Sequence, residues 1–199
     1  VDRPGAVQAD IQIGMVTLGR HDPRWAALEV AACAVGGSFA SRLNTVLREQ
    51  LGYTYGAHAG FRPLRGASMF VVRTSCRTEV AAAATAEAQR LLDVAAAPFN
   101  ADEIADARTY LLGVAPLHFQ TADAIADQAS TLAGADMPAT WVNTHQRQVT
   151  AVTTEQVNRA FAEAVRPAQL SVVLCGDAGR LLNDLTSVGL EAEVVELEA

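Results

Sequence analysis

The stretch at residues 36–61, GGSFASRLNTVLREQLGYTYGAHAGF, constrains most strongly what this chain can fold into. Gly36-Gly37 interrupts one helical pattern. A short amphipathic helix follows, from about Ser38 or Ser41 to Gln50. Its spacing turns Phe39, Leu43, Val46 and Leu47 inward and sets Arg48-Glu49 near its end. Gly52 supplies the left-handed position that stops a helix. Residues 53–62 then alternate as a strand, and Pro63 to Gly66 turns the chain back into a partner over 67–76. A helix feeding an antiparallel hairpin calls for a sheet with a helical layer against it.

The flanking segments fit that demand. Val7, Ala9, Ile11, Ile13 and Met15 alternate with polar residues or glycine, as in a half-buried strand. Asp22-Pro23 predicts a helix start, and Trp25, Leu28, Ala32 and Val35 form its buried stripe. Thr78 predicts a long helix reaching about Ala97, stopped by Pro98. Asn100 with Glu103, and Thr153 with Gln156, are capping-box pairs. Pro116 should break or kink the helix that Asn100 opens. Further helices are expected over 121–133 and 139–149, then a strand over 170–175, a helix near Arg180 and a strand over 192–195. The order gives an α+β fold: an antiparallel-rich mixed sheet with helices packed on one side. Arg3-Pro4-Gly5 reads as the tail of a linker, residues 1–6, which leaves 7–199 as a single domain.

All fifteen basic residues are arginines. Without lysine there is no Walker A lysine, no Schiff-base lysine and no lysine general base. The net charge of −7 is spread without a basic block, so neither nucleic acid nor an anionic membrane finds an electrostatic footprint. Cys33, Cys76 and Cys175 are dispersed and odd in number. They read as inert thiols in a reducing, cytoplasmic setting rather than a disulfide frame or zinc cage.

The four histidines are His21, His58, His118 and His145. None has a histidine three or four residues away, so neither H-E-x-x-H nor its inversion, H-x-x-E-H, occurs. His145 falls on the apolar stripe of its helix and His58 on the solvent side of a strand. Gly36-Gly37-Ser38 and Gly176-Asp177-Ala178-Gly179 lack the spacing and context of nucleotide loops and read as turns. From residue type alone, Arg48 suits the negative end of a helix dipole and Tyr55 suits packing in a sheet.

The run Ser41-Arg42-Leu43, then Arg48-Glu49, then glycine and tyrosine, resembles the C-terminal, non-catalytic homology domain of the insulinase/pitrilysin zinc metallopeptidases. The likeness extends to the strand at Gln8, the helix at Asp22, the starts at Asn100-x-x-Glu103 and Val152-Thr153, and the strand closed by Gly176-Asp177. That family carries zinc on an H-x-x-E-H motif, which this chain lacks, so the resemblance implies zinc on an N-terminal partner domain or a separate catalytic subunit. It implies an oligopeptide substrate and no peptidase activity for this chain alone, and leaves a homodimer open. It further implies that Arg48 and Tyr55 project into the proteolytic chamber and hold the substrate main chain. Tyr53 stands where the family often has an apolar residue. Alternation sets Tyr53 and Tyr55 on one strand face, so spacing alone selects Tyr55. The alternative implied is a proteolytically inactive structural or assembly subunit of the same family.

Overall fold

A computed structural model describes residues 1–195. Four strands form one sheet in the order β2-β3-β1-β4: β1 (Gln8–Thr17), β2 (Thr54–Pro63), β3 (Ser68–Arg77) and β4 (Ser171–Cys175). Every strand pairing is antiparallel, and a lone parallel bridge joins Asp2 to Gly176. The fold class is the expected α+β one.

Alternation decides the faces. Ala9, Ile11 and Ile13 of β1, Phe70 and Val72 of β3, and Ala57 and Ala59 of β2 point into the core, while Gln12, Arg73 and His58 face solvent. Helices cover only the apolar side. They are α1 (Trp25–Ala32), α2 (Thr78–Leu92), α3 (Ala101–Val114), α4 (Ala122–Gly134), α5 (Trp141–Ala151), α6 (Thr154–Ala164) and α7 (Ala178–Ser187). A chain of aromatic contacts crosses the layers, from Trp25 through Phe61, Phe70 and Phe161 to Phe99, with centroids 5.3–6.0 Å apart. Such pairs add about 0.5–1.5 kcal/mol each beyond their buried area.

Both capping boxes form as spaced, at Asn100/Glu103 and Thr153/Gln156. Pro116 ends α3 and opens the 3-10 turn Ala115–Phe119. Elsewhere the chain departs from expectation. Asp22 does not cap α1; its carboxylate accepts from the Arg24 amide at 2.9 Å and closes the turn before the helix. Thr78 is the first helical residue of α2 rather than its cap, and its hydroxyl donates to Ala6 O. The helix stops at Leu92, short of Ala97, because the Asp93 carboxylate takes the Ala96 amide and turns the chain. Residues 192–195 are irregular rather than a strand.

The segment read as a linker, residues 1–6, docks on the end of β4. The Arg3 amide donates to Gly176 O at 2.7 Å, and the Gly5 amide donates to the Asp177 carboxylate at 3.0 Å. Among the described residues no helix is long and apolar enough to cross a membrane.

Candidate functional site

Arg48 and Tyr55 sit on adjoining elements with unusual backbones. α1 runs on as a π-helical turn, Cys33–Gly37, and a second π-helical segment spans Asn44–Gln50. π-Helical turns are rare and cluster at functional sites. Gly36 lets the first turn touch β2, since a Cβ there would stand 2.6 Å from the Ala59 nitrogen and Cβ. Gly52 ends the second segment at φ +62°, a left-handed conformation that other residues resist.

Asn44 joins the two elements. It is only 4% exposed. Its Oδ1 accepts the Ala57 amide at 2.9 Å, and its Nδ2 donates to Ala57 O at 3.0 Å. The side chain thus pairs with edge strand β2 as a neighbouring strand would. Nδ2 also lies 3.1 Å from Ser38 O and from the buried Ser41 hydroxyl. No buried polar group of this joint is left without a partner, as its stability requires.

Across from this joint β2 carries a bulge. Thr54 pairs with Cys76 and Ala57 with Thr74, so Tyr55 and Gly56 together oppose Ser75. Thr54 Oγ1 accepts the Gly56 amide at 3.1 Å and reaches Ser75 O at 2.8 Å. Thr74 Oγ1 is 2.9 Å from Gly56 O. Bulges re-aim side chains, and here the result is a tyrosine 98% exposed. Tyr53 does not share its setting, contrary to simple alternation. It precedes the strand, donates its amide to Leu47 O at 2.8 Å and packs partly buried against the core.

Arg48 is partly exposed, at 29% for its side chain. Its guanidinium lies 3.7 Å over the centroid of Phe39. Phe39 was expected to face inward but is 70% exposed, held out by this stack. Glu49 Oε1 comes within 3.2 Å of Arg48 Nη1 without reaching hydrogen-bond geometry, and Nη1 itself is shut off from solvent. Arg48 and Tyr55 thus lie on elements joined through Asn44, with the Tyr55 side chain in solvent and the Arg48 side chain partly so.

Arg42 anchors the front of this helix. It grips Glu103 with two bonds of 2.8 Å and donates to Ala97 O and Pro98 O at 2.6 and 3.0 Å. Its guanidinium also covers Phe99 at 4.4 Å. Burial raises the Glu103 carboxyl, but the hydrogen bonds from Arg42 and the Asn100 amide outweigh that and leave it below its ordinary value. Asn44 and Arg42 escaped the sequence reading. Their signal was present as polar residues at helical spacing beside Leu43 and Leu47, but their partners lie 13 and 61 residues away.

The residues present do not suit zinc. His21 Nε2 lies 2.9 Å from Ala135 O, His145 Nε2 bonds Glu29, and His58 faces solvent. Among the described residues no three His, Cys, Asp or Glu side chains gather as a metal-binding group. Burial pushes the Cys33 and Cys76 thiols up to about 11, which keeps them protonated and inert.

Residues 1–111 match the model of the peptidase M16 inactive domain. The chain also superposes on solved structures. With the peptidase M16 inactive domain from Pseudomonas fluorescens the TM-score is 0.80 at 23% identity, covering 89% of this chain and 42% of that one. With a protease from Helicobacter pylori it is 0.79 at 15% identity, covering 88% and 42%. With a chain of Complex III2 from Candida albicans it is 0.77 at 12%, covering 94% and 48%. This chain therefore spans less than half of each of these structures. No curated protein matches it. The family match covers more than half the sequence, and the chain belongs to the peptidase M16 inactive domains, the C-terminal non-catalytic domain of insulinase-type zinc peptidases.

Proposed function

We propose that this chain is the non-catalytic half of a zinc metalloendopeptidase. It closes a proteolytic chamber and holds an extended oligopeptide against a zinc site carried by an H-x-x-E-H domain or a separate catalytic subunit. Arg48 and Tyr55 are the holding groups. One observation carries the reading: a tyrosine 98% exposed on a bulge, on a strand that Asn44 locks to the segment carrying the partly exposed Arg48. A tyrosine this exposed contributes no packing to the fold, and its ring and hydroxyl are open to a ligand. Two fixed donors aimed at a peptide carbonyl can orient it and stabilise charge that develops there. The three free cysteines suit a reducing compartment, which extends the proposal to the cytoplasm.

The test is reconstitution. Neither this chain nor the zinc-bearing half should cleave oligopeptides efficiently alone, and mixing them should raise hydrolysis well above either. A zinc-bearing half that is fully active by itself would contradict the proposal. The likeness to a Complex III2 chain favours a second reading, a structural or assembly subunit. Stable association with no gain in hydrolysis would select it.

A further inference from the structure

A cavity of about 390 Å³ is bounded by α1 and its π-helical turn, α3 and the 3-10 turn after it, α4, α5, edge strand β2 and the loop carrying Arg20, and neither Arg48 nor Tyr55 lines it. Phe61, Leu112 and Phe119 contribute apolar wall. The ionisable groups facing it from all these elements are Arg20, Glu29, Cys33, His118 and His145. Glu29 is already engaged, bonded through Oε2 to His145 Nε2. The Trp141 indole stacks on the same imidazole, with centroids 4.3 Å apart and planes within 8°.

Arg20 has no such account. Its guanidinium carbon lies 5.5 Å from the Trp141 centroid, yet Nε and Nη1 are shut off from solvent without a hydrogen-bond partner. His145 Nδ1 is shut off likewise. Arg20 as a whole is half-buried, and among the described residues no carboxylate forms an ion pair with it. Carboxylates are not scarce in a chain with 22 acidic and 15 basic residues. A half-buried cation with two nitrogens out of solvent and no paired carboxylate among the described residues, on the wall of a largely apolar cavity, suits an anion from outside.

We propose that this cavity binds a small monocarboxylate carried on an apolar alkyl or aryl body. The carboxylate meets the Arg20 guanidinium at Nη2, the nitrogen that is not shut off from solvent, in a charge-assisted hydrogen bond. The apolar body lies against Phe61, Leu112 and Phe119. The size and the balance of apolar wall with few polar groups are those of small-molecule sites. A neutral molecule of the same shape leaves Arg20 unpaired, so the site selects by charge.

Calorimetry with 4-phenylbutyrate and its neutral counterpart 4-phenylbutyramide tests this on the 199-residue chain. The acid should bind at one site, at least tenfold tighter than the amide, and should alter Trp141 fluorescence saturably. Trp141→Phe should lose that optical change while keeping the heat. Arg20→Gln should bring acid and amide to equal affinity. Equal binding of the two by the wild-type chain, a preference that survives Arg20→Gln, or no binding of either 4-phenylbutyrate or octanoate would overturn the proposal. The acid–amide comparison needs no variant, so it decides the matter even if Arg20→Gln fails to fold.

Discussion

Asn44→Ala should loosen the domain at the point where the candidate site is assembled. The substitution removes both bonds to Ala57, a residue with no solvent exposure, and strips a partner from the Ser41 hydroxyl. The Ala57 amide and carbonyl are then buried without partners. Each such group costs about 1–3 kcal/mol, so the pair gives about 2–6 kcal/mol of lost stability. For a chain of this length that corresponds to a melting temperature lower by roughly 4–24 °C. Chemical denaturation should show a lower midpoint with an unchanged slope, because the folded and unfolded surfaces stay the same. Thr45→Ala, at the exposed neighbouring position, is the control and should shift stability by less than about 0.5 kcal/mol. A loss below about 1 kcal/mol for Asn44→Ala would refute the role assigned to this side chain. It would mean that water or a rearranged Ser41 satisfies the strand edge equally well.

Further outcomes follow from the same contacts. Gly36→Ala should destabilise by about 1–3 kcal/mol in thermal unfolding, because its new methyl must push against Ala59. Glu103→Gln should cost about 1.5–3 kcal/mol near neutral pH by weakening the Arg42 clamp. Since the folded Glu103 carboxyl is held below its ordinary 4.5, that contribution is present above 4.5 and lost as pH falls through the lower folded value. The stability gap between wild type and Glu103→Gln should therefore close on acidification, and a gap constant with pH would contradict it. Tyr53→Phe should leave peptide hydrolysis by the reconstituted enzyme nearly unchanged, as Tyr53 is packed partly buried against the core.

What was legible in the sequence was local. The capping boxes at Asn100 and Thr153 bond within three residues, so spacing reveals them. The strands of the hairpin follow from alternation, and the helical break at Pro116 follows from its missing amide. Features that depend on distant partners were hidden. Phe39 obeys the apolar period of its helix, yet it stands in solvent because it stacks on Arg48. α2 ends early because Asp93 caps the following turn and Arg42 takes the carbonyls beyond it. The difference between Tyr53 and Tyr55 comes from one extra residue opposite Ser75, which a strict period of two cannot show. The site residues Arg48 and Tyr55 came from resemblance to a family rather than from their own chemistry. The Asn44 joint that links their two elements emerged only in three dimensions.

The central claim is that Arg48 and Tyr55 act on substrate. Turnover of an oligopeptide by the chain reconstituted with its zinc-bearing half tests this most directly, comparing wild type with Arg48→Ala and Tyr55→Phe. Loss of one donor to a reacting carbonyl costs about 2–4 kcal/mol of barrier, so each variant should turn over roughly 10²–10³-fold more slowly. Melting temperatures should stay within about 2 °C for Tyr55→Phe, whose side chain is almost wholly in water. Arg48→Ala should lose the stack on Phe39 and the partly exposed ion pair with Glu49, together about 0.5–2 kcal/mol. Wild-type turnover in both variants would contradict the claim and leave the domain as a scaffold.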